Sequence, residues 1–291
     1  MRVACIDIGS NTTRLLVADC DGKRLHGVHQ QRAYTRIGQD LGSDGRISTL
    51  KMAEVGEVVA AQLERARADD AELVRCVATA AVRRANNGGD LVRWIEKRCP
   101  GLRVEVLSEQ DEARLAFLGA SRTLRERPSG LLGLVDVGGG SSELVVGTAE
   151  GAVRWWTSVP IGSGELTAAF AHHDPPAPDE VEGMRGRVRR GLAGVEPPRP
   201  ALVVAVGGSA TSLLQMTGQV LDAAAFDRAL ALLSGHPATQ MARQTGLDAE
   251  RVRLLPAGIL ILREVARRFG QPLVVGAGGL REGVLLGSAG G

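Results

Sequence analysis

Two aspartates, Asp7 and Asp136, each close an apolar run and stand just before a turn of glycine and hydroxyl residues. The first turn reads Gly9-Ser10-Asn11-Thr12 and the second Gly138-Gly139-Gly140-Ser141-Ser142. Glycine lets a backbone approach a ligand closely and aim its N–H groups inward, which suits phosphate. An aspartate at a strand end beside such a turn suits Mg²⁺. Either turn alone reads equally well as a plain hairpin, because glycine, serine and asparagine are turn formers. The pair says more. Residues Ile6 to Val17 align without a gap on Val135 to Val146, and the aspartate is kept in both copies. A hairpin needs no carboxylate at its shoulder. The copies differ where Arg14 aligns with Glu143, so only the second adds another carboxylate.

A third glycine turn, Gly207-Gly208-Ser209, follows the apolar run Val203 to Val206 and leads into a helix. Helix N-termini hold phosphate through free N–H groups and the positive dipole end. Ser209 is also placed to act as an ordinary cap, and the two readings are compatible. Acidic residues open another helix at Ser108-Glu109-Gln110-Asp111-Glu112. Capping by Ser108 and the helix dipole account for them structurally, and the same pattern would suit a catalytic acid or base. Arg83 lies between a strand and a helix, where it reads as a solvated helix-face arginine or as a group reaching a phosphate. Gly278 to Gly283 opens the final helix. His172-His173-Asp174 has metal-ligand residue types, but flanking prolines and the lack of a third partner at known spacing favour an exposed loop.

The elements that must position these residues repeat in the same order. The first half reads as three strands, a helix near 48–67, a strand near 72–79, a helical stretch near 80–98, a strand at 103–108 and a helix from about 109 to 121. Pro128-Ser129-Gly130 breaks the pattern. The second half has strands near 131–137, 142–147, 152–159, 201–206 and 272–276, with helices between and a final helix from about 279. Residues 1–127 and 128–291 are therefore expected to form two related α/β domains. A cleft is expected between them, with the two glycine turns facing across it.

The bulk composition is that of a globular chain of 291 residues, 44% hydrophobic and 23% charged, with a net charge of +2. That charge does not point to nucleic acid. Arginine supplies nearly all the positive charge, the lysines being Lys23, Lys51 and Lys97. Four scattered cysteines without a C-x-x-C pair read as buried free thiols. No apolar run reaches the length of a membrane span, and Met1 is followed directly by a strand rather than a signal peptide. A reducing cytoplasm is the expected compartment.

Several of these runs together resemble one family. They are Ile6 to Thr12 with Arg14 to Val17, Ala78-Thr79-Ala80 with Arg83, and Glu112-Ala113-Arg114-Leu115 with Gly119. Asp136 to Leu144 and Gly279-Leu280-Arg281-Glu282-Gly283 complete the set. The chain resembles the exopolyphosphatase/guanosine pentaphosphate phosphohydrolase family from end to end, in its short two-domain form. The resemblance implies two actin-like (ribonuclease H-like) ATPase-type domains with an interdomain cleft. It also implies Mg²⁺-dependent removal of the terminal phosphate of inorganic polyphosphate or guanosine pentaphosphate. By position, Glu112 matches the catalytic glutamate that activates water, and Asp136 and Glu143 match metal-associated carboxylates, with Asp7 assisting. Gly9, Ser10, Asn11 and Thr12 match one phosphate loop, and Gly138, Gly139, Gly140, Ser141 and Ser142 the other. Arg83 matches an arginine facing the substrate, and Gly208 and Ser209 are read as further phosphate contacts. Members are often homodimers. This chain has Glu109 where the family usually has glycine, and the resemblance stops where longer members continue into a helical region that helps some of them hold long polymers, so processive action on long chains is not expected. Two rivals share the fold: a kinase moving phosphate from ATP to a small acceptor, which leaves Glu112 unexplained, and a non-catalytic polyphosphate or guanosine tetraphosphate sensor, which leaves the full carboxylate set unexplained.

Overall fold

The computed structural model describes residues 1–22, 24–124 and 126–289. The chain divides into two compact units, one of Met1–Thr123 with the segment from Gly278 onward, the other of Leu124–Ala277. The expected division at 127/128 differs mainly at the C-terminus. The final helix, assigned by sequence order to the second domain, belongs to the first unit. Gly290 and Gly291, the end of that expected domain, lie outside the described residues.

The first unit contains β1 (Arg2–Ile8), β2 (Thr13–Cys20), β3 (Leu25–Ala33), α1 (Ile37–Asp40) and α2 (Thr49–Ala68). It continues through β4 (Leu73–Ala78), α3 (Ala80–Arg84), α4 (Gly88–Arg98), β5 (Val104–Val106) and α5 (Glu109–Thr123). Its sheet has the order β3-β2-β1-β4-β5, with β1 antiparallel to β2 and parallel to β4. Strand β1 is apolar on both sides because both faces are covered. Ala4, Ile6 and Ile8 pack on Met52, Val55, Val59 and Leu63 of α2, the stripe expected from helical spacing. Val3 and Cys5 pack on the other face with Leu16, Leu107 and Leu115. The helical stretch expected over 80–98 is two helices. Asn87 interrupts it by accepting from Ile47 N at 2.8 Å and donating to Ile47 O at 2.9 Å.

The second unit contains β6 (Leu132–Val137), β7 (Ser142–Gly147), β8 (Val153–Val159), α6 (Ser163–Phe170), α7 (Pro178–Gly191), β9 (Leu202–Val206) and α8 (Gly207–Thr217). Then come β10 (Val220–Leu221), α9 (Ala223–Gly235), α10 (Ala238–Thr245), α11 (Ala249–Phe269) and β11 (Leu273–Val275). The sheet order β8-β7-β6-β9-β11 reproduces that of the first unit, with the short β10 added at the edge. Both sheets repeat one α/β arrangement, as expected from the duplicated run, and it is the actin-like one that the family resemblance implies. Among the described residues, no helix is long and apolar enough to cross a membrane.

The last helix, α12 (Leu280–Ala289), packs on α5 and β1. Val284 and Leu285 enter the same apolar cluster as Val3 and Cys5. The α5–α12 crossing is backbone to backbone. A Cβ on Gly119 would overlap Gly279 O, and one on Gly283 would overlap Leu115 O. Alanine in place of a helical glycine ordinarily stabilises by about 1 kcal/mol. Here the sign reverses, because overpacking costs about 1–3 kcal/mol or more. Gly119→Ala and Gly283→Ala should each lower the melting temperature by several degrees in a thermal scan. Melting at or above the wild-type temperature would refute this account of the crossing.

Candidate functional site

In the first unit, the turn after β1 is closed by Gly9 N donating to Thr12 O at 3.0 Å. Two of its carbonyls are tied back into the fold. Ser10 O accepts from Gly38 N at 2.8 Å, and Asn11 O accepts from Arg36 N at 3.0 Å. The N–H groups of Ser10, Asn11 and Thr12 donate to no group among the described residues, although all three residues are buried. Buried N–H groups are almost always paired, so a row of unpaired ones marks an anion cradle. Arg36 holds its place on the turn with a left-handed backbone, φ 46° and ψ 41°, which is uncommon outside glycine.

Asp7 is paired in register with Arg14 of β2. Its Oδ1 is buried and has no hydrogen-bond partner among the described residues. Burial pushes the Asp7 carboxyl up, Arg14 and Arg281 oppose that shift, and Glu282 adds to it. An orphaned carboxylate oxygen beside an anion cradle fits a hard cation.

Glu112 lies in the first turn of α5 and is buried. Arg83 Nη1 donates to Glu112 Oε2 at 2.9 Å and to Leu107 O at 2.8 Å. Its Nη2 lies 3.8 Å from Glu109 Oε1. Arg83, expected to face a phosphate, thus also orients the glutamate. Its five donors leave capacity for both roles. Ser108 caps α5 as expected, accepting from Asp111 N at 3.1 Å. Glu112 thus has a guanidinium partner at the helix end that favours acidic side chains.

The second unit repeats the turn closely. Gly138 N donates to Ser141 O at 2.9 Å, while Gly138 O and Gly139 O accept from Ser163 N at 2.9 Å and Glu165 N at 3.0 Å. The N–H groups of Gly139, Gly140 and Ser141 donate to no group among the described residues. Gly162 makes this backing possible, since a Cβ there would overlap the Gly139–Gly140 peptide. The Ser142 hydroxyl is committed inside the fold, donating to Ile161 O at 2.7 Å.

Asp136 is paired with Glu143, and Glu143 in turn with Ser158. Paired residues share a sheet face, about 4.5–5.5 Å apart. Buried Glu143 accepts from Ser158 Oγ at 3.0 Å through Oε1. Asp136 lies against Gly207 at the start of α8. Gly207 has φ 81°, and a Cβ there would collide with Asp136 Oδ1. The carboxylate therefore sits at a helix N-terminus, the favourable end for an anion. Two carboxylates on one sheet face fit Mg²⁺, which commonly takes one or two protein carboxylates and completes its shell with water and substrate phosphate. Among the described residues, no group of three or more His, Cys, Asp or Glu side chains is arranged as a metal site.

Ser209 does not cap α8. The helix starts at Gly207 with Val206 as N-cap, and the Ser209 Oγ is buried without a hydrogen-bond partner among the described residues. Buried Arg251 of α11 lies over Gly208, where a Cβ would sit 2.6 Å from its guanidinium. Sequence reasoning passed over Arg251, which looks like any other arginine of a charged helix. It also passed over the Arg36 and Gly162 backings. The four cysteines are free and buried, as expected, and burial pushes the Cys5 and Cys76 thiols up, so neither offers a thiolate.

Two actin-like units with matching anion turns define a phosphate-handling protein of the actin-like ATPase class. The Aquifex aeolicus member of the Ppx/GppA family superposes with a TM-score of 0.80 at 30% identity, over 99% of this chain and 97% of that one. An exopolyphosphatase from Cytophaga hutchinsonii shares the fold, with a TM-score of 0.86 at 23% identity over 99% of this chain and 98% of that one. Exopolyphosphatase 2 of Mycobacterium tuberculosis H37Rv is 30% identical over 92% of this chain and 91% of its own length. The chain belongs to the Ppx/GppA phosphatase family, whose profile matches residues 16–290. It is a phosphoanhydride hydrolase.

The His172-His173-Asp174 loop lies apart from this chemistry, and buried Glu180 organises it. Glu180 accepts from His172 N at 2.9 Å, from Ala177 N at 2.9 Å and from His173 Nδ1 at 2.8 Å. Asp174 accepts from Ala238 N at 2.8 Å. Removal from water pushes the Glu180 carboxyl up, but hydrogen bonds from His173 and from the backbone outweigh it and hold the group at about 2. The folded value is depressed, so the stabilisation is fully present above the ordinary value of 4.5 and is lost as pH falls through about 2. Glu180→Gln should therefore melt below wild type at neutral pH, with the gap closing over that window. A gap that stays constant down to pH 2 would refute it.

Proposed function

We propose that this protein removes the terminal phosphate of inorganic polyphosphate, with guanosine pentaphosphate as a second substrate. The observation that carries the reading is Glu112. It is a buried carboxylate fixed by Arg83 and lying outside both anion turns, which a phosphate binder alone would not need. The N–H groups of Ser10, Asn11 and Thr12 and of Gly139, Gly140 and Ser141 bind phosphate oxygens. Arg83 orients Glu112 and donates its remaining N–H groups to the substrate. Glu112 accepts a proton from the water that attacks the terminal phosphorus in line with the leaving oxygen. Asp136 and Glu143, with Asp7, would hold Mg²⁺, which supplies charge neutralisation on the phosphate oxygens when bound. The choice of Mg²⁺, a cytoplasmic location and a homodimer belong to the same proposal and rest on the family resemblance.

Magnitudes divide the work. A hydrolase lowers its barrier by at least ~8 kcal/mol, and a general base supplies ~10²–10⁴-fold, about 3–5 kcal/mol of that. The rest falls to the metal and the backbone dipoles. Phosphate release in water, with no added acceptor, tests hydrolysis against transfer to a small molecule. In that assay Glu112→Gln should lower kcat by about 10²–10⁴-fold while moving KM little. Near-normal turnover would remove Glu112 from the role of base. Asp136→Asn should shift the Mg²⁺ titration of activity to higher concentration, and an unchanged titration would count against its metal role.

A further inference from the structure

One polar side chain interrupts the apolar face of α2. Val55, Val59, Gln62 and Ala66 recur at the spacing of a single helical face, and all four are buried. Gln62 is only 1% exposed. Burying an amide costs free energy unless its hydrogen bonds are made. Gln62 Nε2 donates to Thr13 O at 3.1 Å, while its Oε1 has no hydrogen-bond partner among the described residues. A leucine would fill the same face without that cost, so packing alone does not account for the glutamine.

The partner of Gln62 adjoins the first anion turn. Thr13 opens β2 directly after Ser10-Asn11-Thr12. Thr13 Oγ1 and Thr35 Oγ1 are hydrogen-bonded at 3.0 Å, and both threonines are buried. Thr35 immediately precedes Arg36, and the N–H groups of Arg36 and Gly38 tie back the turn carbonyls. Between those two residues, Ile37 is buried in the same apolar cluster as Val55 and Val59. Helix α2 therefore supports the turn from behind in two ways, through the amide at Thr13 and through the core that it shares with Ile37.

The second unit reaches the same tie with other residues. Thr13 aligns with Ser142, whose Oγ donates to Ile161 O at 2.7 Å. Ile161 precedes Gly162 and Ser163, and Ser163 N ties back a carbonyl of that turn. In each unit a buried hydroxyl on the first residue of the second strand is bonded to the segment that backs the turn. The recurrence links the tie to the turn itself rather than to one local packing arrangement. Only the first unit adds Gln62 to it.

We propose that Gln62, acting through Thr13 and Thr35, is a positioning residue that keeps the N–H edge of the first anion turn presented to phosphate. This rests on the phosphate reading of that turn given above and adds the side chains that fix it. The plain alternative is that Gln62 does no more than satisfy Thr13 O within the fold.

The test measures the Kd of tripolyphosphate by calorimetry, with Mg²⁺ present and in a Glu112→Gln background that slows turnover. Gln62→Leu and Thr35→Val should each weaken binding by about tenfold, with melting temperatures within about 2 °C of the parent. Thr35→Ser, which keeps the hydroxyl, should bind as the parent does. The double variant Gln62→Leu/Thr35→Val should lose little more than either single one, because both act on one network. Val59→Ala is the control for a merely structural role. It removes apolar packing from the same face of α2 and should lower the melting temperature by several degrees while leaving Kd unchanged. Binding that is indifferent to Gln62→Leu and Thr35→Val, or weakened as much by Val59→Ala, would overturn the positioning role and leave the phosphate reading standing. A Glu112→Gln parent that binds no tripolyphosphate would overturn both.

Discussion

The site depends on backbone N–H groups that, among the described residues, are left without internal partners. Such groups are costly to a folded chain unless something outside it satisfies them. The protein fixes them by tying the neighbouring carbonyls back. Gly38 N and Arg36 N do this in the first unit, and Ser163 N and Glu165 N in the second. The two backings come from different elements, a short segment after β3 in one case and the start of α6 in the other. The shared outcome is a peptide turn whose donor edge is oriented before any ligand arrives. Preorganised donors do not have to turn toward charge as it develops, which is where much catalytic advantage arises.

Around this common turn the two units differ mainly in the sign of the adjoining row. The same register position holds Arg14 in one sheet and Glu143 in the other. A single side-chain exchange at a duplicated position thus converts a cation-attracting edge into an anion-attracting one. Duplication supplies the geometry twice, and divergence at this position assigns each copy its charge.

Much of this was legible in the sequence, for a physical reason. A strand, an aspartate and a glycine turn form a local pattern, so the duplicated run exposed both turns and both sheets. The stripe of Met52, Val55, Val59 and Leu63 was legible in the same way. What escaped was set by contacts distant in sequence. The Arg83–Glu112 pair joins α3 and α5, the helices that follow β4 and β5. Gly162 is a glycine because another turn's peptide presses on it, and Arg251 is singled out only by where α11 lies. The Ser209 cap failed because Gly207 takes a positive φ and starts the helix three residues early. The break at Asn87 depends on Ile47, far upstream. The homing of α12 ran against linear order, because its apolar face gives no sign of which unit it completes.

That homing has a consequence for how the molecule comes into being. The second unit is an uninterrupted stretch of chain, whereas the first is split by it, and the first unit's apolar cluster needs Val284 and Leu285. During synthesis the N-terminal strands emerge first, yet the sheet face that α12 covers closes only after that helix has left the ribosome. The usual vectorial order, in which N-terminal domains finish first, is therefore inverted. The later-born unit reaches its native state while the earlier-born one still has an open sheet face, and the nascent chain spends that interval with β1 and α5 in want of a helix that has not yet been translated.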